Sequence, residues 1–308
     1  MEAIIRTDKL TKSFGDVKAV SDLSLHVNKG EIYGFLGLNG AGKTTTIRML
    51  LGMISAGRGK AYIKGQRVYP GNTRLWQDVG YLVEIPYSYP NLTVRENLEI
   101  TRRLRLVKDT GAVERIMDKL ALTRYADRKA GNLSLGNAQR LGIAKAMIHN
   151  PGILILDEPA NGLDPAGIYE IRGMLLDLAR NHGVTVFISS HILGEISRFA
   201  SRIGIIHEGE LIRELDTHQL ESLCQKRLLV STRKNGIARE ILQKNGILIN
   251  KSSSNGVLEI LENNAIDHPD QVARLLVNND LPPVLLHVDE EDLESYFLRT
   301  IKMKGAQK

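Results

Sequence analysis

The chain has 308 residues, 43% of them apolar and 25% charged, an ordinary balance for a folded globular protein and a length that suits about two domains. No apolar run approaches the roughly 20 residues that span a bilayer, residues 1–6 lack the long apolar core of a signal peptide, and a single cysteine, Cys224, excludes an internal disulfide framework and suits a reducing cytosol. The net charge of +6 permits contact with nucleic acid or an anionic membrane and demands neither.

Residues 4–7 read as a short strand, and residues 17–27 alternate loosely, as a half-buried hairpin does. Phe14, between them, has two readings: core packing, which spacing alone favours, or a flat apolar face on which a base stacks. Residues 32–36 form an apolar run expected to be a buried strand. Gly37, Leu38, Asn39, Gly40, Ala41, Gly42, Lys43 and Thr44 follow in the pattern G-x-x-x-x-G-K-[ST], and a helix is expected from Thr45 to Leu51. Strand, loop and helix together are the setting of a phosphate-binding P-loop. The glycines let successive N–H groups turn inward, the helix N-terminus adds partial positive charge, Lys43 supplies a full charge for β- and γ-phosphates, and the Thr44 hydroxyl is a ligand for Mg²⁺.

A turn-rich stretch (52–59) leads to strands at 60–63 and 79–83, the second ending at Glu84. Pro86 and Pro90 mark an irregular passage into a helical region that runs to about residue 149, opened by a capping box at Thr93 and Glu96. Its excess of basic residues (Arg102, Arg103, Arg105, Lys108, Arg115 and others) reads either as a solvated helix face or as a surface near lipid headgroups. A strong helix pattern over 138–149 stops before Pro151, placing Ser134 and Gly136 at a helix N-terminus, as a plain cap or as a second place for an anion.

Residues 153–156 read as a strand buried on both faces. It runs into Asp157, which can hold Mg²⁺ directly or through water, and Glu158, which can polarise a water for attack on a γ-phosphate. Residues 161–165 form a tight turn into a helix starting near Ala166. Another buried strand (184–188) precedes His191, which falls where open α/β sheets place their ligands. A hairpin follows at 202–213. Beyond residue 216 the texture changes: strands at 228–232, 248–250 and 256–260, helices at 237–244 and 270–277, and an extended 282–288 before a final helix at 289–301. No chemical motif occurs there, and an accessory or dimer-contact role is expected. Cys224 reads as a small apolar residue on a helix, without a redox or metal partner.

Over residues 1 to about 215 the chain resembles the ATP-binding subunits of ABC transporters, with the family's signals in the family's order. Phe14 takes the adenine-stacking position, which reverses the core-packing preference. Gly37 to Thr44, with Thr45, are Walker A. Glu84 takes the Q-loop position. Leu133 to Asn137 take the signature, 153–158 Walker B, Asn161 to Asp164 the D-loop, and His191 the switch position. The resemblance implies an α/β fold: an ABC-type P-loop nucleotide-binding domain over 1–215, with a mixed sheet core, an antiparallel β subdomain and a helical subdomain over about 87–150, plus a small α+β domain over 216–308.

It further implies Mg²⁺-dependent ATP hydrolysis in a head-to-tail dimer with a second ATP-binding subunit, expected to be an identical chain. Ser134, Leu135, Gly136 and Asn137 would meet the other subunit's ATP, Ser134 and Gly136 at its γ-phosphate; Glu158 would position the water, and His191 would contact the γ-phosphate. Closure would drive a separate membrane permease from the cytoplasmic face of the membrane. No nucleic-acid partner is expected.

Two departures from the family pattern stand out. The signature reads Leu-Ser-Leu-Gly-Asn, with Leu135 for a glycine and Asn137 for a glutamine. Glu84 replaces the Q-loop glutamine and reads as a direct or water-mediated Mg²⁺ ligand alongside Thr44 and Asp157. These departures, with the sequences around Glu158–Pro165 and Ser189–Leu193, resemble the bacitracin and lantibiotic self-protection exporters, which implies a peptide-antibiotic cargo. The alternative is a soluble ABC ATPase acting on nucleic acid or ribosomes, which the positive charge favours and the one uninterrupted cassette opposes. Intact Lys43, Asp157, Glu158 and His191 oppose a non-catalytic cassette.

Overall fold

The computed structural model describes residues 3–84, 86–252 and 256–305. It divides into two compact units, Met1–His218 and Gln219–Lys308.

The first unit begins with a long antiparallel hairpin, β1 (Ala3–Phe14) and β2 (Val17–Asn28). The sequence pattern marks only residues 4–7 of β1 as strand. Register shifts on both sides of Leu10 break the two-residue alternation that would have revealed the rest. The chain then enters β3 (Ile32–Leu36) and α1 (Lys43–Leu50), returns along β4 (Arg58–Ile63) and β5 (Gln66–Arg67), and continues into β6 (Val79–Leu82). A helical layer follows: α2 (Val94–Leu104), α3 (Ala112–Lys119) and α4 (Leu135–Met147). The Thr93–Glu96 capping box at the start of α2 is formed reciprocally. Then come β7 (Ile153–Asp157), α5 (Pro165–His182), β8 (Thr185–Ser190), α6 (Leu193–Ile196) and the hairpin of β9 (Arg202–His207) and β10 (Glu210–Asp216).

Two sheets result. One is antiparallel, in the order β2-β1-β4-β5. The other has the order β10-β9-β3-β8-β7-β6, parallel from β9 to β6 with β10 antiparallel at its edge. β3, β7 and β8 are buried at every position, the expected texture of strands covered on both faces. Ile5, Leu23 and Val27 of the antiparallel sheet share one core with Phe35, Ile47, Leu50, Ile155 and Phe187, and Phe187 stacks on Tyr33 with ring centroids 5.5 Å apart. Two glycines allow close layering: a Cβ on Gly34 would lie 2.3 Å from Ile196, and one on Gly80 would lie 2.2 Å from the carbonyl of Ala146.

The second unit opens with α7 (Leu220–Leu223), then β11 (Lys226–Thr232), α8 (Asn235–Lys244), β12 (Ile249–Ser252), β13 (Leu258–Ile260), α9 (Asn263–Asp267), α10 (Pro269–Val277), β14 (Pro283–Glu290) and α11 (Leu293–Gly305). Its antiparallel sheet has the order β12-β13-β11-β14, the split βαβ arrangement in which the first and last strands lie side by side. Leu228, Val230, Leu258 and Ile260 meet Ala238, Leu242, Val272 and Leu276 in a core of its own. Two local expectations are corrected here. The final helix starts at Leu293 rather than Asp289, because Asp289 and Glu290 remain in β14, ion-paired to Arg227 and Lys226 across the sheet. Cys224 stands just past α7, at its C-cap in extended backbone, rather than on a helix. No helix among the described residues is long and apolar enough to cross a membrane.

Candidate functional site

The strands β3, β7 and β8 run parallel, so the residues that follow their C-terminal ends collect along one edge of the sheet, where such sheets take ligands. From β3 comes the loop Gly37–Thr44. Its turn needs glycine at Gly42, where φ is +105° and a Cβ would sit 2.4 Å from the carbonyl oxygen of Ala19. Lys43 is only 6% exposed. Its Nζ donates to the carbonyls of Gly37 at 2.6 Å and Leu38 at 3.2 Å and lies 3.1 Å from Glu158 Oε1. Leu38, Asn39 and Gly40 are exposed at the loop tip, and Ala41 is buried beneath it. Thr45 occupies the first turn of α1.

From β7 comes Asp157, buried to 1% exposure. Oδ2 accepts from the Thr44 hydroxyl at 2.7 Å, and Oδ1 accepts from the Ser189 hydroxyl at 2.6 Å. Ser189 is opposite Asp157 in the β7–β8 register, and its oxygen also accepts from the amide of Glu158 at 2.9 Å. Ser189 therefore fixes both acids at once. Sequence reasoning places this serine beside His191 without a role; the signal available was that two largely apolar strands of similar length end together at these residues.

Glu158 holds a left-handed backbone conformation, φ +50°, which aims its carboxylate away from the strand. One oxygen faces Lys43, and the other lies 2.6 Å from His191 Nδ1. The Gln139 amide donates to the Glu158 carbonyl at 3.4 Å, a contact from α4 that the sequence did not announce. Thr44, Glu84, Asp157 and Glu158 line one cleft of about 410 Å³, with Leu135 and Asn161 at its wall.

Glu84, on the wall of this cleft, is also left-handed, φ +57°, and its Oε1 bonds Arg48 of α1 at 2.6 Å. Arg48 lies four residues beyond Thr44 on α1, the helical spacing that stacks side chains on one face. Among the described residues no group of three or more His, Cys, Asp or Glu is arranged to hold a metal. Thr44 and Asp157 are the hard oxygen donors that fit Mg²⁺.

The signature residues open α4. Ser134 caps it, accepting from the Asn137 amide at 3.4 Å and from its side chain at 3.0 Å. Leu135 is 59% exposed and lies against Gly162, where a Cβ would come within 2.2 Å of its Cδ2; Gly136 faces Leu163. The turn at Gly162 thus supplies the room that a leucine at this place requires. Asp164 caps α5, accepting from Gly167 N at 2.9 Å. Phe14 stands half exposed at the end of the β1–β2 hairpin, its ring 5.2 Å from Lys12 Nζ.

A glycine-rich loop entering a helix, a buried aspartate on the loop's threonine, and a lysine–glutamate–histidine chain along one sheet edge define a P-loop nucleotide-binding cassette. The ABC transporter family model matches residues 20–161. The chain is 38% identical over 302 residues to the bacitracin transport ATP-binding protein BcrA of Bacillus licheniformis, covering 98% of each protein. It is 34% identical over 234 residues to the lantibiotic transport ATP-binding protein SrtF of Streptococcus pyogenes, covering 75% of this chain and all of that one. A nucleotide-free ATP-binding cassette from an ABC transporter superposes with a TM-score of 0.62 at 28% identity, over 70% of this chain and 92% of that one. A dimeric bacterial ABC transporter cassette does so with a TM-score of 0.64 at 26% identity, over 69% and 98%. The chain belongs to the ATP-binding proteins of ABC transporters: it is the ATP-binding, ATPase subunit of such a transporter.

Proposed function

We propose that this chain hydrolyses ATP in a Mg²⁺-dependent manner, as one of two identical cassettes that drive a separate membrane permease from the cytoplasmic face of the membrane, and that the cargo is a peptide antibiotic of the bacitracin or lantibiotic kind, expelled for self-protection. The observation that carries the catalytic part is the meeting of Thr44–Asp157 with Lys43–Glu158–His191 at one sheet edge. Thr44 and Asp157, with Glu84 directly or through water, would hold the metal, which when bound offsets the charge on the β- and γ-phosphates. The loop amides and Lys43 cradle the phosphates. Glu158 exchanges Lys43 for the attacking water and accepts its proton, and His191 orients the Glu158 carboxylate and reaches the γ-phosphate. Phe14 stacks on adenine. Ser134 and Gly136, with Leu135 and Asn137 beside them and Asp164 on the facing turn, complete the other subunit's site. The second unit serves as an accessory or dimer contact.

The cargo reading is supported by relatives whose names carry bacitracin and lantibiotic transport. Affinity purification from solubilised native membranes tests the assembly: a stoichiometric polytopic protein is the expected companion, and ribosomal or nucleic-acid companions without one overturn it. Deleting the chain's gene is expected to sensitise the cell to bacitracin-type or lantibiotic peptides; unchanged susceptibility to both overturns the cargo. EDTA is expected to abolish ATP turnover, and excess Mg²⁺ to restore it.

A further inference from the structure

The β1–β2 hairpin backs onto the phosphate loop, where a Cβ on Gly42 would sit 2.4 Å from the carbonyl oxygen of Ala19 in β2. At the end of the hairpin Phe14 is opposite Val17 and keeps 52% of its surface exposed. Lys12 stands two positions earlier on β1, on the same face of the strand.

Lys12 is half-buried and, among the described residues, pairs with no carboxylate. Its ammonium has two other partners. It donates to the carbonyl of Ser55 at 2.9 Å and lies 5.2 Å from the centroid of the Phe14 ring, within cation–π range. Ser55 belongs to the turn that closes α1, in which the Met53 amide donates to the Arg48 carbonyl at 2.9 Å. The same turn is bonded to β1 once more, from the Gly57 amide to the Thr11 carbonyl at 2.8 Å. One side chain thus joins the exposed ring to the end of α1, and the opposite end of α1 is the phosphate loop.

We infer that Lys12 is a positioning residue for the base of the nucleotide: it holds the Phe14 ring at a fixed span from the phosphate loop and polarises it for stacking. This rests on the reading of Phe14 as the adenine platform and adds what fixes that platform. A free phenylalanine at a hairpin end has rotamer freedom that a ligand must remove on binding. The ammonium, itself tethered to Ser55, removes that freedom before the nucleotide arrives. It also draws on the negative π cloud from one side, which eases the approach of an electron-rich purine to the other. A polyphosphate without a base gains from neither effect.

The experiment measures equilibrium binding of ATP and of inorganic tripolyphosphate, both with Mg²⁺, to the full chain. The same titrations are made with Lys12→Met, Lys12→Arg, Phe14→Ala and the double variant of Lys12→Met with Phe14→Ala. Lys12→Met, which keeps an apolar stem, is expected to weaken ATP about two- to fivefold (~0.4–1 kcal/mol), the worth of an exposed cation–π contact, and to leave tripolyphosphate unchanged. Lys12→Arg keeps a cation for the ring and donors for Ser55, and is expected to recover most of the loss. In turnover the loss falls on KM rather than kcat. In the Phe14→Ala background Lys12→Met is expected to cost nothing further.

Equal weakening of ATP and tripolyphosphate would make Lys12 a phosphate contact and overturns the inference. Wild-type affinity for ATP in Lys12→Met, no recovery by arginine, or an undiminished effect of Lys12→Met in the Phe14→Ala background overturns it too. Failure of the adenine-platform reading is visible separately, because Phe14→Ala then binds ATP as tightly as the wild type.

Discussion

Lys43 and Glu158, from a loop and a strand end 115 positions apart in sequence, meet at 3.1 Å with the lysine almost wholly buried. The carboxylate thereby neutralises the lysine that phosphates are meant to engage, and phosphate and carboxylate compete for it. Glu158→Gln removes the competing charge and the proton acceptor together. It is expected to cut steady-state ATP turnover by about 10²–10⁴-fold, the usual worth of a positioned general base, while nucleotide binding is retained or tightened. Parallel turnover and equilibrium-binding measurements check this; wild-type-like turnover would remove Glu158 from the mechanism.

Ser189 offers a test of positioning. Its hydroxyl donates to Asp157 and accepts from the Glu158 amide. Ser189→Ala leaves a buried carboxylate oxygen and a partly buried N–H without their partner, a loss of about 1–3 kcal/mol. Chemical denaturation should register that cost. Ser189→Thr, which retains the hydroxyl, should recover more of the turnover than alanine does.

The signature departure has a built-in compensation at Gly162. Gly162→Ala puts a methyl 2.2 Å from Leu135 Cδ2 in a backbone with φ +77°, an overpacked and strained position that should lower stability by about 1–3 kcal/mol. Leu135→Gly in the same chain relieves the steric part and leaves the backbone part. A double-mutant cycle read by thermal or chemical unfolding is therefore expected to be non-additive in the rescuing direction.

His149 supplies a pH dependence. Burial, helped by the charge of Arg105, lowers its pKa from 6.5 to about 4 and outweighs the opposing pull of the Val79 backbone and the Asp78 carboxylate. The folded chain therefore favours the neutral ring. Its contribution to stability is complete above pH 6.5 and is lost as pH falls toward 4, because the unfolded chain takes up the proton first. The slope is at most about 1.4 kcal/mol per pH unit, reduced here by partial exposure. Denaturation curves between pH 7 and 4 should show this slope in the wild type and a flatter one in His149→Leu.

The parts of this molecule that declared themselves in the sequence are those whose cause is local. β3 and β7 are unbroken apolar runs because both faces are covered, and the caps at Thr93 and Ser134 lie within three residues of the groups they bond. What stayed hidden depends on residues far away in the chain. Asp289 and Glu290 look like the acidic first turn of a helix until Arg227 and Lys226 pin them in a strand. The partner of Glu84 is likewise invisible in the sequence: Arg48, 36 positions earlier, bonds its carboxylate. The P-loop, Asp157, Glu158 and His191 were legible because each follows a recognisable strand; Ser189 and Gln139, which hold Glu158 in place, carry no pattern of their own.

Two acids of the cleft, Glu84 and Glu158, occupy left-handed backbone that suits glycine or asparagine better than glutamate. In a library of variants scored separately for abundance and for work done, these two positions should therefore behave unlike the core around them. Glycine at either is expected to raise the amount of folded protein while depressing turnover or coupling, so that the two scores diverge in sign. The chain keeps its most demanding side chains where its own backbone would accept cheaper ones, and a screen for solubility alone would select against them.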